Sequence, residues 1–424
     1  MPSEIETTIY LDLFMFLRSF KLLIASWLAL LLLVACGGGG SSASAPSGLT
    51  AKAMESSVTL SWDMTPGVEY WVFYGPTSIV PTTVSSMSGW FGIPSGGVRM
   101  NVTSPYVVTG LYNGYSYSFS VNGRTGGGPG GPGATPVAVT PKLAGSTWDL
   151  GTAVGSNDLR SVTFGSVYVA GGANGAMYSS ADGISWNTIA SPTKTNLNGA
   201  VYSGTYTLVG DGGLVLTSSD AATWTAPTSA TSENLNAIAS NHVNLNVAVG
   251  ANGTIVTTSD GVTWTAATSV SPSTTNSFYG VSYSAYSGLW VAVGAAGTVY
   301  KSTDGLTWTS VTSPTSADLH GITTVAGMFV AVGSAVGSSG TILSSTDGVT
   351  WATLTAPAAI DLKAVTYGTQ FVAVGFGGNV FISADGATWT ASAATGTTNT
   401  LNAVVRGPSA YAAVGAAGTN LLAR

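Results

Sequence analysis

Seven tryptophans recur between residues 148 and 389, and their spacing of 38 to 44 residues constrains the fold more than any other feature. They are Trp148, Trp186, Trp224, Trp264, Trp308, Trp351 and Trp389. A fixed period of about 40 residues is typical of repeat architectures in which every repeat is one supersecondary unit. Such a unit cannot bury its apolar face alone, so consecutive repeats must pack against one another.

Each repeat contains segments suited to short strands that are separated by tight glycine turns. Leu319-His-Gly-Ile322 is typical of the first segment, Phe371-Val-Ala-Val-Gly375 of the second, and Thr298-Val-Tyr300 of the third; the segment at the tryptophan itself is the fourth. Four short strands in about 40 residues predict one blade of a β-propeller.

The two ends of the repeat region predict how the propeller closes. The last repeat contains three strand segments and ends with Thr419-Asn-Leu-Leu422, whereas Ser146-Thr-Trp148 precedes the first complete repeat. We therefore predict that the strand at Trp148 supplies the outer strand of the last blade, which leaves no open sheet edge. Six complete repeats and one split repeat give a seven-bladed β-propeller over residues 143–424.

Six of the tryptophans end segments close to Ser-x-Asp-Gly-x-Thr-Trp. Their acids are Asp182, Asp220, Asp260, Asp304, Asp347 and Asp385. These segments resemble the boxes of Asp-box (BNR) propellers, a group that includes sialidases and photosystem II assembly factors. The family's usual box has one more residue between Asp and Trp, and Ala221 replaces the turn glycine in the second repeat. We interpret the acids as structural, because a short acid accepts the N–H groups of a turn and six blades cannot aim their acids at one substrate.

The segment before the propeller alternates apolar and polar residues in the way of half-buried strands. Val58-Thr-Leu60-Ser-Trp62 and Tyr117-Ser-Phe119-Ser-Val121 are the clearest of these. Residues 46–142 resemble a fibronectin type III domain, which implies a β-sandwich with Trp62 in its core and a tyrosine corner formed by Leu111 and Tyr117. The predicted fold class is therefore all-β, a sandwich followed by a propeller.

The amino terminus has the features of an export signal. Arg18 and Lys21 precede an apolar run that ends at Leu33-Val-Ala-Cys36, so residues 1–35 are predicted to be a signal peptide, with Met15 as an alternative start. The run resembles a bacterial lipobox, which implies acylation of Cys36, and the absence of Asp after that cysteine favours the outer membrane, facing the periplasm or the cell surface. Residues 36–45 are then a flexible linker. The alternative is an incidental cysteine.

Composition and residue counts exclude several functions. Only 7% of the residues are charged, the net charge is −6, and no basic run occurs, which argues against nucleic acid. Residues 143–424 contain three arginines and one glutamate, Arg160, Arg406, Arg424 and Glu233, too few for a sialidase-like site. The histidines His242 and His320 lie in different repeats, so neither a zinc site nor a Ser–His–Asp triad is predicted. We expect no enzyme activity, metal or cofactor.

One position of the repeat varies in chemistry. It follows the leading Leu or Phe of each innermost strand and is occupied by Arg160, Asn198, Asn236, Tyr279, His320, Lys363 and Asn402. Equivalent positions on a propeller surround the mouth of its channel, and convergent polar groups at a concave mouth predict a binding site. The alternative is that these residues are polar only because they are solvated.

These observations predict a non-enzymatic lipoprotein, anchored to a membrane by lipid, whose propeller binds a protein or a glycan. The resemblance to photosystem II assembly factors implies an alternative role in the assembly or stability of a membrane protein complex. A divergent, sialidase-like glycoside hydrolase is the third possibility, against which the scarcity of arginine and glutamate argues.

Overall fold

A computed structural model describes residues 40–79 and 95–424, and the chain divides into two compact units between Lys142 and Leu143. In these residues the regular structure consists of strands and 3-10 turns of three residues, so the predicted all-β class is confirmed. The described part of the chain contains no helix of a length and apolarity that would cross a bilayer. Cys36 and the predicted signal peptide lie outside the described residues.

The described residues of the first unit form two antiparallel sheets. One is formed by Ser41–Ser42, Glu69–Pro76, Gly97–Val102, Tyr117–Thr125 and Val137–Val139. The other is formed by Thr50–Met54, Ser57–Ser61 and Tyr106–Thr109. Side chains from both sheets share one core that includes Trp62 and Phe119, so the two sheets enclose a common apolar layer.

The second unit contains seven consecutive antiparallel sheets, numbered here in chain order. Sheet 1 is Leu159–Phe164, Tyr168–Gly172, Met177–Ser180 and Asn187–Thr188. Sheet 2 is Leu197–Tyr202, Tyr206–Gly210 and Val215–Ser218. Sheet 3 is Leu235–Ser240, Asn246–Gly250, Ile255–Thr258 and Thr265–Ala266. Sheet 4 is Phe278–Ser284, Leu289–Gly294, Val299–Ser302 and Thr307–Val311, with Ser269–Ser271 parallel to the last of these.

The remaining three sheets follow the same order of strands. Sheet 5 is Leu319–Val325, Met328–Val336, Ser339–Ser345 and Ala352–Thr355. Sheet 6 is Leu362–Tyr367, Phe371–Gly375, Val380–Ser383 and Thr390–Ala391. Sheet 7 is Leu401–Arg406, Tyr411–Gly415 and Asn420–Ala423, completed by Asp149–Leu150 from the start of the unit.

The seven sheets form a closed ring. The first strand of every sheet contacts the first strand of the next sheet, and the first strand of sheet 7 contacts that of sheet 1. This arrangement is a β-propeller, and the predicted propeller fold is confirmed. Ring closure leaves the sheets without a long unpaired edge, which protects the molecule from edge-to-edge association.

The outer strand of sheet 7 comes from the other end of the unit. Leu150 pairs with Leu421 and Asp149 pairs with Leu422, in antiparallel register. The paired residues therefore begin directly after Trp148, whose side chain is 8% exposed and packs in a cluster with Tyr411. The same order, a buried tryptophan and then the outer strand, recurs in sheet 6, where Trp389 precedes Thr390–Ala391.

Tight turns connect the second and third strands of six sheets. They are Ala173–Gly175, Asp211–Gly213, Ala251–Gly253, Ala295–Gly297, Phe376–Gly378 and Ala416–Gly418. In sheet 1 the two central residues, Asn174 and Gly175, have φ values of 54° and 69°. Two successive positive φ values are the requirement of type I′ hairpin turns, which explains the Asn-Gly sequence. A Cβ on Gly175 would also lie 2.1 Å from the carbonyl oxygen of Thr193, so only glycine fits there.

Candidate functional site

The seven variable residues of the first strands share a backbone feature. In every first strand the pairing register shifts between the first and third residues, as between Leu159 and Ser161 in sheet 1. The residue between them, such as Arg160, has no partner across the ladder. A β-bulge of this kind redirects a side chain away from the regular face of the sheet.

All seven bulged residues line one cavity of about 210 Å³. They are Arg160, Asn198, Asn236, Tyr279, His320, Lys363 and Asn402, and each is half-buried. The cavity lies where the seven first strands begin, which is the mouth of the propeller channel. The structure therefore brings the whole predicted set together, while ligand binding by the set stays a prediction.

The three asparagines of the mouth already use their amide groups inside the ring. Asn236 Nδ2 donates to the carbonyl oxygen of Phe278 at 2.8 Å, and Asn402 Nδ2 donates to that of Leu159 at 2.8 Å. Asn198 Nδ2 donates in the same way to Leu235, at 3.1 Å. Each acceptor is the first residue of the neighbouring sheet's first strand. These amides therefore fasten consecutive sheets together, which limits what they can offer to a ligand.

Arg160 is connected to the same network. Its Nη1 donates to Asn198 Oδ1 at 3.0 Å, and Asn198 Nδ2 donates to Asp211 Oδ1 at 2.8 Å. A guanidinium has five N–H donors in a planar fork. The hydrogen bond to Asn198 uses one donor, on Nη1, so the guanidinium of Arg160 can still donate to an acceptor placed in the mouth.

Tyr279, His320 and Lys363 form a continuous arc on the mouth, which we call the cationic arc. The rings of Tyr279 and His320 lie with their centroids 5.5 Å apart, tilted by 40°. His320 Nε2 lies 3.0 Å from Ser334 Oγ and 3.4 Å from Lys363 Nζ. Because the ammonium of Lys363 can only donate, Nε2 accepts and the hydrogen of the neutral imidazole is on Nδ1.

The charge of Lys363 is only loosely compensated. The nearest carboxylate oxygen, Asp361 Oδ2, lies 4.0 Å from Nζ, and the lysine side chain is 31% exposed. Burial lowers the pKa of His320, the charge of Lys363 lowers it further, and Asp318 and Asp361 oppose the shift. The lowered pKa keeps the imidazole of His320 neutral at neutral pH.

A second repeated position at the mouth was not anticipated from the sequence. The residue before the leading Leu is often Asp or Asn. Its Oδ1 accepts a backbone N–H of the preceding sheet, which belongs to the tight turn in four cases and to Ala335, in the second strand of sheet 5, in the fifth. These residues are Asp158, Asn196, Asn234, Asp318 and Asp361. The signal that could have revealed it is the recurrence of Asp or Asn directly before Leu. These side chains fasten neighbouring sheets, like the asparagines of the bulges.

The six acids of the Asp-Gly segments lie at the other ends of the sheets, one in each of sheets 1 to 6. In sheet 1, Asp182 Oδ1 accepts the N–H groups of Ile184 and Ser185 at 2.9 and 2.7 Å, and the hydroxyl of Ser180 at 3.0 Å. The same three bonds recur at Asp220, Asp260, Asp304, Asp347 and Asp385. Each acid thus holds its own turn.

These hydrogen bonds favour the ionised carboxylates. The backbone N–H groups of Thr223 and Ala222 lower the pKa of Asp220 to about 2, and those of Thr350 and Val349 lower the pKa of Asp347 to about 2. Such acids are poor proton donors, and the described residues that donate hydrogen bonds to them belong to their own acid segments. Across residues 40–79 and 95–424, no group of three His, Cys, Asp or Glu side chains is arranged to hold a metal ion.

Comparison with known proteins supports the propeller. A family model for the DUF6242 beta propeller domain matches residues 132–241, about a quarter of the chain. No curated protein matches. Among many similar solved structures is YCF48 bound to D1 peptide, with a TM-score of 0.54 and 17% identity, covering 65% of this chain and 94% of that one. At this identity the likeness concerns the fold alone.

Proposed function

We propose that the propeller is a non-enzymatic binding module that receives a segment of a partner protein at its mouth. The observation that carries the proposal is the cationic arc with Arg160. These four side chains point donors and rings into the cavity, whereas the three asparagines beside them are bound to backbone. A concave site with a few convergent polar groups and a ring surface is the default expectation for a binding site.

The chemistry of the mouth favours a carboxylate or a row of backbone carbonyls. Lys363 and Arg160 carry positive charge, and neither has a carboxylate within hydrogen-bonding distance among the described contacts. Charged donors bond to carboxylates about twice as strongly as neutral ones. The rings of Tyr279 and His320 add a flat surface that suits an apolar or aromatic side chain next to that acceptor.

A protein ligand is preferred to a glycan because of the propeller that resembles this one. The solved structure of YCF48 contains a D1 peptide, so a propeller with this fold can bind a peptide. That likeness also favours the alternative role, in which this chain assists the assembly or stability of a membrane protein complex. A glycan remains a second candidate ligand, because the mouth has both hydrogen-bond donors and a ring surface.

A sialidase-like reaction has little support at the mouth. Among the described residues Arg160 is the one arginine that lines it, since Arg406 lies over the ring of Tyr411, with 4.8 Å between its Cζ and the ring centroid. Glu233 accepts a hydrogen bond from Asn252 Nδ2 at 2.8 Å. A paired-carboxylate mechanism needs an acid and a second carboxylate on either side of one bond. We therefore propose no catalysis, cofactor or metal, and no nucleic acid partner.

Three finer assignments belong to the same proposal. The six acid turns are proposed to be Asp-box repeats of the BNR type, an interpretation that their identical hydrogen bonds support. The first unit is proposed to be a fibronectin type III domain. Its support is the buried Trp62 and the tyrosine corner, where Tyr117 Oη accepts the N–H of Tyr112 at 3.2 Å. Cys36 is proposed to carry the lipid anchor in the outer membrane.

The proposal is tested by capture at the mouth itself. A photo-crosslinking phenylalanine derivative in place of Tyr279 should yield protein adducts in intact cells, and a peptide array should show binders where a glycan array shows none. The triple variant Arg160→Ala, His320→Ala and Lys363→Ala should lose both signals.

A matched control separates the mouth from general charge. Lys194→Ala with Lys301→Ala removes two positive charges that do not line the mouth cavity and should leave capture unchanged. Binding that survives the triple mouth variant would contradict the proposal. If the unaltered protein binds a glycan saturably and the triple variant does not, the ligand of the mouth is a sugar and not a protein.

A further inference from the structure

Sheet 3 departs from the other six at one position. The second strand of every sheet contains a glycine near its end, and the position is four residues before that glycine. In the other six sheets this position is occupied by an aromatic residue. These rings belong to Tyr168, Tyr206, Trp290, Phe329, Phe371 and Tyr411, and each is buried. The residue at this position in sheet 3 is Asn246, which is half-buried.

The residue paired with this position differs as well. Tyr206 pairs across the ladder with Tyr202, and their ring centroids are 4.6 Å apart. In sheet 3 the partner of Asn246 is Ser240, so both rings of the pair are missing. Ladder pairing is otherwise the same, which means that the backbone of sheet 3 is regular while its side chains leave space.

The glycines of the acid turns show where that space is. A Cβ on Gly386 would lie 2.9 Å from a ring carbon of Phe371, and one on Gly348 would lie 3.4 Å from a ring carbon of Phe329. A Cβ on Gly261 of sheet 3 would meet no atom within 4 Å. The ring that fills this place in the other sheets is therefore replaced by open space.

This space belongs to a groove of about 300 Å³ between sheets 2 and 3. Its lining includes Ser203, Thr205, Thr207, Ser240, Asn246 and Gly261. The groove lies at the end of the sheets where the acid turns are found, away from the mouth. An engineered cavity of about 150 Å³ is large enough to bind benzene, so this groove has room for a substituted ring.

Two other junctions between neighbouring sheets show which hydrogen bonds the backbone at the groove can make to a ligand. Tyr206 Oη donates to the carbonyl oxygen of Val167 at 2.9 Å and accepts the Val167 N–H at 3.0 Å. Tyr411 Oη does the same with Gln370, at 2.7 and 3.2 Å. In both cases the partner residue lies in the loop between the first two strands of the preceding sheet.

At the junction of sheets 2 and 3 the equivalent loop residue is Thr205. Its carbonyl oxygen accepts the N–H of Ser203 at 3.1 Å, as that of Gln370 accepts the N–H of Gly368 at 3.2 Å. Among the described residues no tyrosine hydroxyl reaches Thr205. Asn246 is too short, and its Oδ1 accepts a hydrogen bond from Ser203 Oγ at 3.3 Å instead. The backbone carbonyl and N–H of Thr205 are therefore placed to bond a phenol hydroxyl, and no tyrosine of the described residues supplies one.

We propose that this groove is a second binding site that receives a tyrosine side chain of a partner protein. The ring takes the place that Tyr206 fills at the preceding junction, and its hydroxyl donates to the Thr205 carbonyl and accepts the Thr205 N–H. Val243 and Val262, which are 84% and 63% exposed, flank the groove and contact apolar residues next to that tyrosine. A sugar fits less well, because the aromatic rings on which its apolar face would stack are the ones that are missing.

The test uses p-cresol and N-acetyl-L-tyrosinamide as probes on the whole chain. Both should bind saturably and shift the backbone amide resonance of Thr205. The O-methyl ether of the tyrosinamide cannot donate a hydrogen bond and should bind several-fold to about tenfold more weakly. No saturable p-cresol binding up to its solubility limit, or binding that leaves Thr205 unchanged, would overturn the proposal.

Two variants keep the result independent of a folding defect. Asn246→Tyr supplies the missing ring from within, so p-cresol binding should disappear while Tm rises by a few degrees. Asn246→Ala widens the groove and should retain p-cresol binding. The outcome that would refute the assignment is an Asn246→Tyr protein that folds and still binds p-cresol. A simple sugar that displaces p-cresol would identify a glycan site instead.

This site and the mouth can fail separately. Alanine at Arg160, His320 and Lys363 should not alter p-cresol binding, and Asn246→Tyr should not alter capture at the mouth. Loss of p-cresol binding in the triple mouth variant would contradict the assignment of the probe to the groove.

Discussion

The two ends of the propeller sheets differ in how their repeated positions are used. At one end, six aspartates make the same three hydrogen bonds to their own turns. At the other end, seven equivalent bulges carry five different kinds of side chain: Arg, Asn, Tyr, His and Lys. Identical side chains on an identical backbone indicate a structural role. Different side chains on an identical backbone indicate that the ring tolerates change there, which leaves the position available for recognition.

The largest expected effect comes from removing a whole structural unit. Deletion of residues 401–424 removes the three strands that connect sheet 6 to Asp149–Leu150 and sheet 1. The apolar faces of sheets 1 and 6 would then be exposed, so we expect loss of cooperative thermal unfolding, measured by circular dichroism, and binding of a hydrophobic dye. Deletion of Arg424 alone is the control and should leave the transition intact. A cooperative transition at the original temperature after the long deletion would contradict the closed ring.

One buried tryptophan at the acid turns should have the next largest effect. Trp308 is fully buried, and its Nε1 donates to the carbonyl oxygen of Gly305 at 3.0 Å. Trp308→Ala should lower the free energy of unfolding by about 3–5 kcal/mol, measured by denaturant titration. Trp186 is half-buried and its Nε1 has no hydrogen-bond partner in the described part of the chain, so Trp186→Ala should cost clearly less. Equal losses would mean that the two turns do not differ as their burial suggests.

Substitutions in the tight turns should change the free energy of unfolding by a smaller amount, in a direction that the backbone conformation predicts. Gly212 has a φ of 64°, and a Cβ added there would meet open space, so Gly212→Ala tests the backbone conformation alone. We expect a loss of about 1 kcal/mol in the free energy of unfolding. Ala296 is exposed at the equivalent place with a φ of 52°, and Ala296→Gly should stabilise the fold by a similar or smaller amount. The same sign for both substitutions would contradict this account of the turns.

The smallest effect is expected at the mouth and depends on pH. The pKa of His320 is lowered in the fold by burial and by Lys363, against Asp318 and Asp361, from an ordinary value of 6.5. The unfolded chain therefore binds a proton more readily than the folded chain, and stability that is present above about pH 6.5 is lost as pH falls towards the lower folded pKa. His320→Gln should reduce this decline between about pH 7.5 and 5.5, measured by thermal unfolding.

The second histidine is the control for that experiment. His242 lies at the groove between sheets 2 and 3, so His242→Gln leaves the surroundings of His320 intact and the decline attributed to His320 should persist. If His320→Gln leaves the decline as steep as in the unaltered protein, the mouth histidine does not contribute to it.

Much of the scaffold could be predicted because its signals are local. The tryptophan period, the glycine turns and the acid segments each lie within one repeat, so they indicate strands and turns without knowledge of the neighbours. The closing strand predicted at Trp148 lies next to the observed outer strand of sheet 7, Asp149–Leu150, which begins directly after that tryptophan as the outer strand of sheet 6 begins after Trp389. The prediction of seven mouth residues followed from the same repeat.

The roles of those mouth residues could not be predicted, because they depend on contacts between sheets. Asn236 and Asn402 were expected to offer donors to a ligand, yet their amides are bound to the backbone of the next sheet. The bulge that turns each residue towards the channel also arises only when two strands pair. The missing ring at Asn246 was visible in the repeats, but its meaning depends on Thr205 in the neighbouring sheet.

The sequence by itself thus determined the all-β class, the repeat and the turns of this protein, since a residue's backbone preference and the period of apolar residues act over a few positions of the chain. The tertiary structure decided which side chains meet. About one repeat of sequence, roughly 40 residues, separates Tyr279 from His320 and His320 from Lys363. Closure of the ring places the three side chains on one arc. Proximity of that kind follows from the packing of whole sheets, which no single repeat encodes.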